Sequence, residues 1–243
     1  MNEKIELTGV PETMLQTLYA RAKESRTRGA VTDKKAEEII KKLDYDFSLA
    51  DSDIAMSSGV IARTVVLDKM VSGWLTEHPG AVVVNIACGL DTRCYRMEEN
   101  VPCDLNDTAW FERIDASGGA VFFAAGVFYY FLKEQVRSLV CKMADAFPGG
   151  VLVFDAANRK AVKLMLKTWI KDAQIKDVGA YFAVADAKAE LSPWDERMEV
   201  SSRGYMLGYN DLTDPSVSGF FRFLSRVGDN SMNMQIVKLK FGK

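Results

Sequence analysis

The chain has 243 residues, 48% of them apolar, enough to bury a sizeable core in one large α/β domain and too many for wholesale disorder. A formal net charge of -2 supplies no electrostatic reason to expect a nucleic-acid backbone or an anionic membrane as partner. Four cysteines (Cys88, Cys94, Cys103, Cys141) without a C-x-x-C pair, and one histidine, His78, speak against zinc and disulfide scaffolds. Reduced thiols in a cytoplasmic protein are the expectation. Met1–Leu7 is charged and lacks the apolar region of a secretory signal, and no apolar run reaches the roughly 20 residues that span a bilayer.

In chain order, residues 11–50 read as helices. Met14, Leu15, Leu18 and Tyr19 form one apolar stripe at helical spacing. Thr32 or Asp33 is placed to cap a second helix running through Ile39, Ile40 and Leu43. A third helix, about 58–76, carries Val60, Ile61, Val65, Leu67, Val71 and Leu75, and His78-Pro79-Gly80 stops it. Residues 1–80 are thus expected to be a helical N-terminal extension, and 81–243 the core.

After that stop the period changes. Ala81–Ile86 is a β-branched run of the kind buried in parallel sheets, and Ala120–Ala125 and Val151–Asp155 match it. A helix at about 133–146, ended by Pro148-Gly149-Gly150, separates the last two, and another at about 158–172 follows. Met234–Phe241 alternates apolar and polar residues as a terminal, antiparallel strand would. The predicted fold class is α/β: a doubly wound, mostly parallel, Rossmann-like sheet with helices on both faces.

In such sheets ligands bind outside the carboxyl ends of the strands, where strand order reverses. The stretch Ala87-Cys88-Gly89-Leu90-Asp91-Thr92-Arg93 puts a small-residue turn at the end of the first core strand. By spacing alone this is either a ligand cradle or a plain tight turn. The dinucleotide pattern G-x-G-x-x-G is absent, which disfavours a nicotinamide oxidoreductase and favours a ligand without phosphate.

Residues 57–97, "SSGVIARTVVLDKMVSGWLTEHPGAVVVNIACGLDTRCYRM", resemble the leucine carboxyl methyltransferases and tetracenomycin-type polyketide O-methyltransferases. "CDLNDTAW" (103–110) and "FFAAGVFYYF" (122–131) are similar to that family's next two motifs, in the same order. The resemblance implies a class I methyltransferase using S-adenosylmethionine. It assigns Arg63 to the donor's carboxylate, a pairing that suits the fork of a guanidinium. It gives Ala87, Cys88 and Gly89 the methionyl and ribose portion, with Ala87 standing where most relatives have glycine. Asp104 and Leu105 match a pair that contacts the adenine; an N-cap role is the other reading of Asp104. Ala125 and Gly126 close the donor site, but relatives have glutamate in place of Ala125, a loss worth about 1–3 kcal/mol of binding if that carboxylate holds the donor. Arg21 reads as a surface helix charge, with a second donor anchor as the alternative, and His78 as a charge complement at a helix end.

The resemblance also exposes a shortfall. Helix, strand, helix and strand should fit between Gly89 and Val121, yet only residues 90–120 are available. "MEENVPCD" offers no β-branched strand, whereas relatives have one there, ending in an acid that takes the ribose hydroxyls. About 25–35 residues are therefore expected to be absent near Glu98–Val101, on the span of two βαβ units.

The acceptor is expected to be a small molecule, polyketide-like, methylated on a carboxylate or hydroxyl. A catalytically weak donor-binding protein and a protein carboxyl methyltransferase are the alternatives. The acceptor pocket should draw on the N-terminal helices and on residues 180–215, with Tyr130, Arg203 and Tyr205 as its side chains. "SPWDERMEV" reads as a solvated connection. No Ser/His/Asp or Cys/His arrangement is present to nominate a catalytic base.

Overall fold

Two punctuation marks, His78-Pro79-Gly80 and Pro148-Gly149-Gly150, each end a long helix and open a buried strand. Gly80 and Gly149 take φ of 88° and 81°, a region that glycine enters without steric cost. The computed structural model describes residues 3–4, 7, 9–96, 100–103, 110–167, 179–206 and 218–242.

The elements run β1 (Glu3–Lys4), α1 (Val10–Arg26), α2 (Lys34–Lys42), β2 (Leu43–Asp44), α3 (Ser48–Ser52), α4 (Ile54–Glu77), β3 (Val82–Ile86), β4 (Asn100–Cys103), α5 (Trp110–Arg113), β5 (Ala120–Ala124), α6 (Lys133–Ala146), β6 (Val151–Ala156), α7 (Arg159–Met165), α8 (Ala187–Leu191), β7 (Glu199–Gly204), α9 (Gly219–Arg226) and β8 (Gln235–Lys240). Asp33 caps α2, accepting from the Ala36 amide at 2.9 Å. Asp53 caps α4 through the Met56 amide at 2.8 Å, so that helix starts before the apolar periodicity that announced it.

One six-stranded sheet has the order β4-β3-β5-β6-β8-β7, with β1 and β2 forming a separate parallel pair. β4, β3, β5 and β6 run parallel, and β8 alone is reversed, lying antiparallel between β6 and β7. The chain moves outward from β3 to β4 and then crosses back to β5. Strand order therefore reverses at β3, and a crevice opens at the carboxyl ends of β3 and β5. β4 corrects the expectation of no strand here. It pairs with β3 along Val83↔Asn100 to Ile86↔Cys103, although its sequence carries a proline and little β-branched character.

Side chains alternate across the sheet, as the pleat requires. Val83, Val121, Phe123 and Val153 pack on α4 through Ala62, Val66 and Leu67. Val84, Phe122 and Phe154 face the other way, against Val140 and Met143 of α6. Each fully buried Phe or Leu of this kind contributes about 1.5–3 kcal/mol. "SPWDERMEV" proves to be a packed connection: Trp194 and Met198 are buried in the α6-side core. Leu18, Ala22 and Ala36 form a smaller core between α1 and α2, and Leu90 from the turn after β3 packs on it. Among the described residues no helix is long and apolar enough to cross a membrane.

Candidate functional site

The turn after β3 is built from backbone conformations that side chains resist. Ala87 and Gly89 take φ of 50° and 48°. For Gly89 the restriction is also steric: a Cβ there would fall 2.0 Å from the Met14 sulfur. Helix α1 thus rests its thioether on the bare backbone of the turn. Ala87 holds the same left-handed region with a methyl group, at a cost of about 1–2 kcal/mol.

Buried charges pin the rest of Leu90-Asp91-Thr92-Arg93. Arg21 of α1 donates to Asp33 at 3.1 Å and to the Leu90 carbonyl at 2.8 Å. Thr92 donates to the same Asp33 carboxylate. Arg93 pairs with Asp91 and, at 2.5 Å, with Asp68 of α4, to which Arg96 also donates at 2.6 Å. Arg21 is therefore no surface charge: it is 5% exposed and spans α1, α2 and the turn. Its burial pulls its pKa down, against the pull of Asp91 and Asp33. Burial pushes Asp91 upward, but Arg93, Arg21 and Arg96 outweigh it and hold the carboxyl below its usual range.

Across the crevice, Arg63 of α4 reaches the carboxyl ends of β5 and β6. Its Nη1 donates to Asp155 Oδ2 at 2.9 Å, and the Gly126 amide donates to Asp155 Oδ1 at 2.6 Å. The guanidinium lies so close to Gly126 that a Cβ there would meet Nη1 at 2.8 Å. Arg63 is 8% exposed, and its Nε is buried without a hydrogen-bond partner. Burial works against its charge, but Asp155 more than compensates, so its pKa is raised. A buried guanidinium with a spare N–H is a seat for an anion.

Two cavities meet at this arginine. The first, of about 200 Å³, lies in the crevice and is lined among others by Arg21, Arg63, Asn85, Cys88 and Ala125. The second, of about 400 Å³, lies beyond the Arg63–Asp155 pair. Arg63, Ala87, Cys88, Ala125, Gly126 and Tyr130 all border the first. Gly89 stays in the turn, its open side taken by Met14. Burial raises the pKa values of Tyr130 and, on the other side, Tyr129 and Tyr205.

Tyr205 lines the second cavity. Arg203 is exposed on β7 and borders neither, because its position in that strand points it away from the core. Asp104 and Leu105 lie outside the described residues. His78 ends α4 as expected, with its ring stacked on Trp74 at 4.1 Å. Asp155 was missed by sequence reasoning. Its signal was an acid closing an apolar strand at the ligand-binding end of the sheet.

The leucine carboxyl methyltransferase family model matches residues 14–101, from α1 into β4. The tetracenomycin polyketide synthesis O-methyltransferase TcmP of Streptomyces glaucescens is 31% identical over 186 residues, covering 64% of this chain and 69% of that protein. The S-adenosyl-L-methionine-dependent methyltransferase dpfgK of Gibberella zeae is 25% identical over 277 residues, covering 93% of this chain and 92% of its own. That alignment is longer than the 243 residues of this chain, so dpfgK has residues with no counterpart here. In fold, a provisionally assigned methyltransferase of Thermobifida fusca superposes with a TM-score of 0.55 at 14% identity, over 92% of this chain and 94% of that one. A duf574 family protein of Streptomyces avermitilis gives 0.53 at 10% identity, over 93% and 97%.

Proposed function

The chain belongs to the leucine carboxyl methyltransferase family of S-adenosylmethionine-dependent methyltransferases, which includes tetracenomycin-type O-methyltransferases, and on that premise we propose that it methylates a carboxylate or hydroxyl of a small, polyketide-like metabolite. The donor brings its own activated methyl group, so the protein's task is to hold, align and exclude water. The observation that carries the donor site is Arg63, buried at the switch point with an unpartnered Nε–H. A methionine carboxylate matches it in charge and geometry. Ala87 and Cys88 offer main chain and small side chains to the rest of the donor, and the half-buried Cys88 thiol, its pKa raised by burial, stays protonated.

The name of TcmP supports the polyketide-like acceptor. A donor-binding protein with weak turnover is the second reading, favoured by Ala125, which borders the crevice where relatives have glutamate. We place the residues that dpfgK has and this chain lacks near 98–101, where β4 follows β3 after a short connection. Calorimetry with S-adenosylmethionine and its demethylated product tests donor binding. Labelled-methyl transfer to a panel of small acids, phenols and a leucine-terminated peptide tests the rest. Micromolar donor binding with transfer to a small molecule is expected; no binding of either nucleoside refutes the proposal.

A further inference from the structure

The cavity beyond Arg63 is separate from the crevice assigned to the donor, and apart from Arg63 the two share no lining residue among those described. Met56, Met165, Met232 and Met234 supply thioethers on flexible stems, joined by Val60 and Val162. Methionine-rich walls adapt to apolar shapes. At about 400 Å³ the cavity falls within the range of small-molecule sites. The buried Tyr129, Tyr205 and Asp155 line it together with Arg63, and Asp53, the N-cap of α4, adds a further polar group. The second cavity therefore meets the crevice at Arg63, and methionines supply much of its apolar wall.

Charge separates the possible acceptors. The described lining holds two carboxylates, Asp53 and Asp155, and one guanidinium, Arg63. That guanidinium already pairs with Asp155 and turns its Gly126 side to the crevice. No other cation lines the cavity among the described residues. Among the described residues the wall is net negative, which disfavours an anionic acceptor, whereas a neutral hydroxyl finds the tyrosine hydroxyls and an acid as hydrogen-bond partners.

We infer that the methionine-lined cavity beyond Arg63 is the acceptor chamber and that it takes an apolar molecule presenting a neutral hydroxyl, in preference to a carboxylate. The word acceptor rests on the methyltransferase reading above; the binding preference does not.

The test uses the full chain carrying [methyl-¹³C]methionine, with resonances assigned by single Met→Leu variants. S-adenosylhomocysteine reports on the crevice through Met14, which sits on the Gly89 turn. The matched pair 2-naphthol and 2-naphthoate reports on the second cavity. Saturable 2-naphthol shifts at Met56, Met165, Met232 and Met234 are expected, with 2-naphthoate at least tenfold weaker. Gly59→Leu, on α4 at the cavity wall, should abolish the naphthol shifts and leave the Met14 response intact. Gly59→Ala is the folding control, because the added carbon comes no nearer than 3.8 Å to Met234 Cε. Naphthol shifts confined to Met14, no saturable naphthol shift, or naphthoate binding as tightly would each overturn the inference. An unmoved Met14 with adenosylhomocysteine would instead overturn the donor site, while the naphthol pair still decides what the second cavity holds.

Discussion

Arg63 and Asp155, 92 residues apart in the chain, meet at 2.9 Å with almost no access to solvent. The pair joins α4 to the end of β6, and through the Gly126 amide it also fixes the loop after β5. Buried pairs of this kind are costly to break from one side, by about 3–5 kcal/mol, because the remaining charge is stranded.

Arg63→Lys retains a cation for Asp155 but loses the planar fork. The donor's dissociation constant should rise by about ten- to a hundredfold, the equivalent of one charge-assisted hydrogen bond. Calorimetry beside a thermal melt checks this. A lysine variant that folds and binds the donor as tightly as the parent would remove Arg63 from the site.

Ala125→Glu adds, at the edge of the crevice, the carboxylate that the family resemblance implies. If the crevice holds the donor as proposed, binding should tighten by about ten- to a hundredfold, as expected for about 1.5–3 kcal/mol from a hydrogen bond to a charged group. Titration calorimetry of the two proteins side by side decides it, and equal or weaker affinity counts against the assigned orientation.

The two left-handed residues of the turn should respond in opposite directions. Ala87→Gly relieves a strained φ and should stabilise the fold by about 0.5–1 kcal/mol after glycine's entropic cost is deducted. Gly89→Ala adds strain and drives a carbon into the Met14 sulfur. It should destabilise strongly, and Met14→Ala in the same chain should recover only the steric part. Urea denaturation of the three variants beside the parent measures both.

Tyr129, Tyr130 and Tyr205 are all shifted upward by burial. A raised folded-state pKa means a stabilising contribution fully present below the ordinary tyrosine value of 10.0 and lost as pH climbs through the folded values. Unfolding free energy should therefore fall above pH 10, and these tyrosines should ionise together with unfolding. Ultraviolet titration of tyrosinate alongside circular dichroism tests this, and Tyr205→Phe should flatten the alkaline slope.

Much of the architecture was legible because its signals are local. The helix expected over 133–146 is α6, bounded by the same Pro-Gly-Gly that ended it in the sequence. The runs at 81–86, 120–125 and 151–155 are the three central parallel strands, whose burial on both faces forces the apolar composition that marks them. β4 escaped notice because a sheet edge needs backbone pairing more than β-branched side chains. At the site, Arg63 stood out through the family resemblance and its apolar neighbours Ile61, Ala62, Val65 and Val66, and Asp155 did not, since a single acid after a strand is common. Arg21 was misread because its partners Asp33 and Leu90 lie 12 and 69 residues away. Helical periodicity reports a face, not what that face touches.

The lattice of Arg21, Asp33, Asp68 and the Leu90–Arg93 turn has a consequence for engineering by exchange. The first helices and the loop that follows β3 share one set of counter-charges, so neither can be transplanted alone. A chimaera taking residues 1–80 from a relative would need that relative's loop as well, or would leave arginines and aspartates facing strangers in the protein interior. The N-terminal helices and the cradle are a single hereditary unit, joined by electrostatics across a gap in the sequence.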